Sequence, residues 1–166
     1  MTLKKELKFL DYNKDFPKLF KKEKSFLQKI GAKEIYHVGS SAMPKMPGKG
    51  AIDILILAKS QKEKLNLKKK LVNKGYTQGK SKENFRYFFW KIQNNQEYCI
   101  HLMLSSNPHS RDQIIFRDFI NKSPQEFKQY LRLKKQNFKQ ANGDRSKYRE
   151  LKEKYFQEIS RRLKED

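Results

Sequence analysis

Tyr36-His37-Val38-Gly39-Ser40-Ser41-Ala42-Met43-Pro44, with Lys49-Gly50-Ala51-Ile52-Asp53-Ile54-Leu55-Ile56 after it, is the stretch whose reading decides the fold. Glu34–Val38 reads as a short strand. Residues 39–50 hold three glycines and two prolines, the composition of a loop or a broken helical turn. Residues 51–58 are an apolar run of the buried-strand kind, interrupted by one carboxylate, Asp53. A carboxylate among aliphatic neighbours is costly to bury unless it is paired, hydrogen-bonded or metal-bound. A glycine before it lets backbone approach a phosphate, whose oxygens neighbouring amides and hydroxyls can take. The carboxylate can hold a divalent cation that bridges those oxygens. Gly39, Ser40, Ser41 and Asp53 are therefore candidate phosphate and metal ligands. The plainer readings are a turn or cap role for Ser40 and a local ion pair for Asp53.

Upstream, residues 16–30 carry apolar side chains at helical spacing, with Asp15 as expected N-cap, Pro17 in the first turn and Gly31 as the stop. Downstream, 60–73 reads as a helix capped by Ser60 and ended near Gly75. Residues 85–92 form a strongly aromatic strand, Asn94-Asn95 a hairpin turn, and 98–104 the returning strand. Period two puts Glu97, Cys99, His101 and Met103 on one face of that strand. Alternate aromatics of the strand are expected to pack on the C-terminal helices; the others face outward, where they could stack a base. Helices follow at 108–121, at 124–141 behind Ser123-Pro124, and at 146–163 after the Asn142-Gly143-Asp144 break. No repeat or linker divides the chain, so 1–166 reads as one domain. The order of elements gives an α+β fold: a mixed sheet flanked by helices, with a helical C-terminal third packed against it as a bundle.

Composition narrows the function classes. Hydrophobic residues at 36% and aromatics at 13% exclude a disordered chain. The single cysteine, Cys99, excludes an internal disulfide and a cysteine-built zinc site, and fits a reducing compartment. Residues 1–10 include Lys4, Lys5, Glu6 and Lys8 and lack the apolar core of a signal peptide. The apolar run at 51–58 is too short to span a bilayer. A soluble, cytoplasmic protein with no membrane contact is expected. The formal charge of +21, from 39 Lys and Arg against 18 Asp and Glu, attracts polyanions such as nucleotides and RNA. A lysine-biased composition with solvated helix faces gives the same count. Glycine-rich dinucleotide and Walker motifs, zinc spacings and a Ser-His-Asp order are absent.

The segment His37-Val38-Gly39-Ser40-Ser41-Ala42-Met43-Pro44 resembles the His-Val-Gly-Ser-Thr-Ala-Val-Pro-like element of the GrpB family. Lys49-Gly50-Ala51-Ile52-Asp53-Ile54 is similar to its Lys-Pro-x-x-Asp-Ile-like strand. Tyr12, Phe16, Pro17 and Phe20 look like its N-terminal aromatic element. Arg86 to Lys91, His101-Leu102, Phe116-Arg117-Asp118-Phe119, Tyr148 and Lys152 continue the likeness in order. The resemblance implies a nucleotidyltransferase-like fold that binds a nucleoside triphosphate with a divalent cation, magnesium, and transfers a nucleotidyl group to an acceptor hydroxyl. It implies Asp53 as catalytic residue and metal ligand and His101 as its catalytic partner. Gly39, Ser40, Ser41, Lys49, Arg86, Lys91 and Arg117 would then contact the nucleotide phosphates. Arg117 and Asp118 are neighbours on a helix and diverge by about 100°, so one can reach the site while the other pairs locally.

The chain also departs from the pattern. Active nucleotidyltransferases usually place a second carboxylate two residues after the first, where this chain has Leu55. Met103 stands where the family often has a second histidine, and Gly50 replaces its proline. Two functions follow as expectations. One is a nucleotidyltransferase with an incomplete carboxylate set. The other is a module that has lost the chemistry and binds nucleotide or RNA through its basic surface.

Overall fold

The apolar run that carries Asp53 is strand β2, Ile52–Ala58, and it lies beside β5, Gln96–Leu104, inside a five-stranded sheet. The computed structural model describes residues 6–166, so Lys4 and Lys5 of the basic N-terminus lie outside it. The sheet order is β1-β2-β5-β4-β3, with β1 at Glu34–Val38, β3 at Thr77–Gly79 and β4 at Tyr87–Gln93. The β2–β5 pair is parallel and the other pairs are antiparallel. β2 and β5 are buried over most of their length, which is why they read as near-continuous apolar runs.

Alternation splits the sheet into two faces. Ile52, Ile54, Ile56, Ile100 and Leu102 meet helix α1, Phe16–Lys29, and helix α2, Gln61–Asn73. Val38, Leu55, Leu57 and Met103 form a smaller core on the other face, with Ile114 of α3, Asp112–Lys122, over it. Helices α4, Pro124–Ala141, and α5, Arg145–Glu165, pack mainly on α3 and on each other. The C-terminal bundle therefore packs against the sheet, as expected, and does so mainly through α3. The loop after β1 joins the two halves: Met43 and Met46 are buried among Phe116, Ile120, Tyr130 and Ile159 of the helical core.

Several local readings hold and several need correction. Ser60 accepts the Glu63 N–H at 3.1 Å, and Ser123 accepts the Glu126 N–H at 3.3 Å, so both cap their helices. Asn94 and Asn95 both adopt positive φ, as a two-residue hairpin turn requires. Asp15 does not cap α1. Its backbone is already helical, and its N–H donates to Asn13 Oδ1 at 2.9 Å. Helix α3 starts at Asp112, four residues later than expected from sequence, because Asn107 gathers the preceding turn: its Oδ1 takes the His109 N–H at 2.8 Å. Strand β3, only Thr77–Gly79, has no apolar alternation to mark it. The core-facing aromatics of β4, Tyr87 and Phe89, pack on the α1 and α2 side and not on the C-terminal helices.

One polar cluster interrupts that apolar layer. Glu23 of α1 is buried, pairs with Lys91 Nζ at 2.6 Å, and accepts a hydrogen bond from the Tyr76 hydroxyl. Rings of Phe26, Tyr76 and Tyr98 surround the Lys91 ammonium. Breaking a buried ion pair from one side leaves an uncompensated charge, worth about 3–5 kcal/mol. Glu23→Ala is expected to lose stability of about that size in urea unfolding, and Glu23→Leu with Lys91→Met to lose clearly less.

Candidate functional site

Gly39 ends β1 with φ 72° and ψ −171°, a backbone region that is essentially glycine's alone. It lies against the Asp53 carboxylate so closely that a Cβ there would come 2.5 Å from Asp53 Oδ2. A single 3-10 turn, Ser40–Ala42, follows. Ser41 closes the strand ends: its Oγ takes the Asp53 N–H at 3.3 Å and lies 2.9 Å from His37 Nε2. His37 stacks on Phe20 of α1, ring centroids 4.6 Å apart. Burial pushes the His37 imidazole down to about 4, Asp53 pulls it back in part, and Arg117 lowers it further. His37 is therefore neutral at pH 7, and the Ser41 hydroxyl is committed between it and the β2 backbone.

Asp53 keeps a quarter of its side-chain surface accessible, 25%, and meets His101 Nε2 at 3.4 Å. Burial acts to raise the Asp53 carboxyl. The His101 hydrogen bond and charge, then Lys152 and Lys49, outweigh it and hold the group below the ordinary carboxylate range. Burial lowers His101, against the pull of Asp53, with Arg86 and Lys152 adding to the lowering. A neutral imidazole thus donates Nε2–H to an ionised Asp53. His101 Nδ1 is buried with no hydrogen-bond partner among the described residues.

The accessible edge of Asp53 opens on a small cleft lined by Ser40, Ser41, Gly48, Lys49, Lys134 and Lys152, with Leu10 and Asp11 at its N-terminal wall. Leu10 and Gly48 exchange backbone hydrogen bonds of 2.7 and 2.9 Å, which strap that wall in place. Space for the centre of a water-sized molecule amounts to about 20 Å³, room for one or two waters and far less than a whole nucleotide needs. Lys134 is 2% exposed, and its Nζ meets Ser40 Oγ and the Pro47 carbonyl. Burial, then Lys152 and Lys49, lowers Lys134 well below a usual lysine, with Asp53 opposing. Burial and Lys152 likewise hold Lys49 down to about 8, Asp53 opposing. Three amines therefore face one buried carboxylate, while Asp11 stands exposed at the rim.

The structure brings Gly39, Ser40, Ser41, Lys49 and Asp53 together, and it separates the rest. His101 sits behind Asp53 and touches the carboxylate without lining the cleft. Arg86 is paired with Glu83 at 2.6 Å. Lys91 lies on the opposite face of the sheet, bound to Glu23, because its register partner is Tyr98 of the α1-facing set. Arg117 and Asp118 pair with each other at 2.8 Å, and Arg117 also donates to the His37 carbonyl at 2.7 Å. Neither of the two reaches the cleft, because long side chains bend across the angle between adjacent helical positions. Lys134 was not among the sequence candidates. Its signal is a lysine on the buried stripe Tyr130, Lys134, Asn137 and Ala141 of α4.

The donor set does not fit a divalent cation. Asp53 is the one carboxylate inside the cleft, Asp11 stands exposed at its rim, the second position is the apolar Leu55, and three amines line the wall. Among the described residues no group of three His, Cys, Asp or Glu side chains is arranged to hold a metal.

Comparison with known proteins adds the following. Residues 6–162 match the profile of a family described as GrpB protein. The chain is 30% identical to the UPF0157 protein YqkA of Bacillus subtilis over 137 residues, 80% of this chain and 40% of that one. It is also 30% identical to the glutamate-rich protein GrpB of Alkalihalophilus pseudofirmus, over 94% of this chain and 95% of the relative. The chain thus spans less than half of the first relative and nearly all of the second. Its fold is similar to the crystal structure of conserved protein GrpB from Enterococcus faecalis, TM-score 0.79 at 20% identity, covering 93% of this chain and 96% of that one. A looser likeness, TM-score 0.42 at 11% identity over 66% of this chain and 37% of that one, is to the Cid1 poly(U) polymerase. No described helix is long and apolar enough to cross a membrane.

Two outcomes test this geometry. Gly39→Ala is expected to lose about 1–3 kcal/mol from backbone strain, and more from displacing Asp53, measured by urea unfolding. His37 supplies a pH dependence. Its folded value near 4 lies below the unfolded 6.5, so between them the unfolded chain binds the extra proton. That stability is complete above pH 6.5 and is lost as pH falls toward 4, about 3 kcal/mol in all. His37→Phe should flatten this limb of the pH–stability curve.

Proposed function

The chain belongs to the GrpB family, and on that premise we propose that it is a binding module for the phosphate group of a nucleotide. The observation that carries the reading is the convergence of Lys49, Lys134 and Lys152 on the Asp53 cleft without a second buried carboxylate. In this reading Lys49 and Lys152 take the phosphate oxygens at the mouth, beside the Ser40 turn. The sugar and base lie outside, since the cleft admits only a group of about the size of a phosphate's leading oxygens. Asp53 orients the lysines and limits their mutual repulsion, and His101 positions Asp53. Ammonium groups supply the charge that a metal ion supplies elsewhere, so neither magnesium nor nucleotidyl transfer is required. The surrounding charge of +21 draws polyanions toward the mouth.

Calorimetric titration with ATP and with orthophosphate, each with magnesium and with a chelator, tests this. Equal affinity in both conditions is expected, with Lys49→Gln weakening binding by roughly tenfold. Affinity should fall as pH rises past about 8, where Lys49 loses its proton. Asp53→Asn should preserve or tighten binding. Magnesium-dependent binding abolished by Asp53→Asn would replace this reading with the metal-bridged one.

A further inference from the structure

Ser40 and Ser41 are adjacent but differently occupied. The Ser41 hydroxyl is engaged by the Asp53 amide and His37. The Ser40 hydroxyl lies at the cleft wall, hydrogen-bonded with the Tyr130 hydroxyl and in close contact with the Lys134 amine. Lys134 has the surroundings of a base. It is buried, its two hydrogen-bond partners, Ser40 Oγ and the Pro47 carbonyl, are uncharged, and it faces Lys49 and Lys152 as well as Asp53 and Tyr130. Burial and two neighbouring ammoniums favour the neutral amine more than the single Asp53 favours the cation. A neutral amine has two N–H groups and one lone pair. One N–H is given to Pro47, and the lone pair can then face the Ser40 hydroxyl, which donates to it. A serine next to a neutral lysine is the arrangement that makes a hydroxyl nucleophilic in Ser-Lys enzymes.

We propose that Ser40 is a nucleophile with Lys134 as its general base, and that the cleft accepts a phosphoryl group from an activated phosphate onto Ser40. The proposal rests on the phosphate-binding reading, since Lys49 and Lys152 hold the phosphoryl oxygens during attack. Ser40 Oγ forms a bond to phosphorus. The bond from phosphorus to the leaving oxygen breaks, and its electron pair departs with the leaving group, acetate in the case of acetyl phosphate. The Ser40 proton passes to Lys134 Nζ. The product is phosphoserine beside a newly formed ammonium, so the charge created on the protein is matched where it arises. No metal or oxidant enters the balance.

The test incubates the full chain with acetyl phosphate, a small donor that needs only its phosphoryl oxygens to enter the cleft mouth, and maps phosphoserine by tandem mass spectrometry. Orthophosphate binding is measured on the same samples. Modification confined to Ser40 is expected, faster as pH rises from about 6 to about 9, because the base must be unprotonated. Lys134→Arg, which stays protonated and cannot act as base, should slow it roughly a hundredfold. Orthophosphate bound with Ser40 unmodified at every pH overturns the dyad and leaves the phosphate reading standing. If orthophosphate is not bound, that reading falls, and methanesulfonyl fluoride, which carries no negative charge, decides the dyad by itself. Sulfonylated Ser40 supports it; an unmodified Ser40, or a sulfonamide on Lys134, overturns it. Should Lys134→Arg fail to fold, a pH-independent rate in the parent protein overturns the base assignment.

Discussion

The close approach of Gly39 to the Asp53 carboxylate is the constraint on which the rest of the structure depends. No side chain fits between them, so the end of β1 can swing inward and begin the Ser40–Ala42 turn beside β2. Ser41 then locks the two strands through the Asp53 amide and the His37 ring. The turn directs the following loop away from the sheet, where Met43 and Met46 enter the helical core. That insertion fixes where α4 lies, and α4 carries Lys134 back to Ser40. A backbone contact of one glycine is thereby linked to the position of an amine nearly a hundred residues later in the chain.

The electrostatics of the cleft reverse the usual relation between buried charge and stability. Asp53 alone would be costly, and so would three amines alone. Together they are tolerable because each reduces the desolvation cost of the other, and because Lys134 can shed its proton while Lys49 stays near its titration point. The excess is still positive, which is the charge the proposed phosphate site requires. Lys91 shows the contrast. Largely covered on the other face, it has its own carboxylate and a cage of rings, and its charge is satisfied within the fold.

Much of this was legible in the sequence because local rules and the tertiary structure agree there. The Gly-Ser turn, the Asp53 strand, the paired asparagines and the caps at Ser60 and Ser123 follow from residue type and spacing alone. The period-two reading of β5 grouped His101 with Cys99 and Met103, and the sheet register makes theirs the Asp53 face. What spacing does not reveal is the partner across the fold. Lys91 and Lys49 look alike in a lysine-rich chain, but sheet register sends one to Glu23 and the loop before β2 brings the other beside Asp53. Arg117 seemed free to reach a phosphate because the alternative, bending back to Asp118 while donating to the His37 carbonyl, depends on β1 lying next to α3. Lys134 had a local mark, a basic residue on an apolar helical stripe, but its meaning needed the position of Ser40.

The missing second carboxylate is built into the core and is not an isolated substitution. Leu55 is fully buried, packed with Val38, Leu57 and Met103 beneath α3. An aspartate at that position would enter an apolar layer and cost several kcal/mol unless paired or metal-bound. The same layer seats α3, on which α4 and α5 rest, and those helices deliver Lys134 and Lys152. Apolar packing at Leu55 and amine chemistry in the cleft are therefore consequences of one arrangement. A sheet face closed by aliphatic side chains lets the helical bundle settle close enough for Lys134 and Lys152 to line the Asp53 cleft. The fold keeps the turn and the first acid, and it draws its positive charge from its own helices.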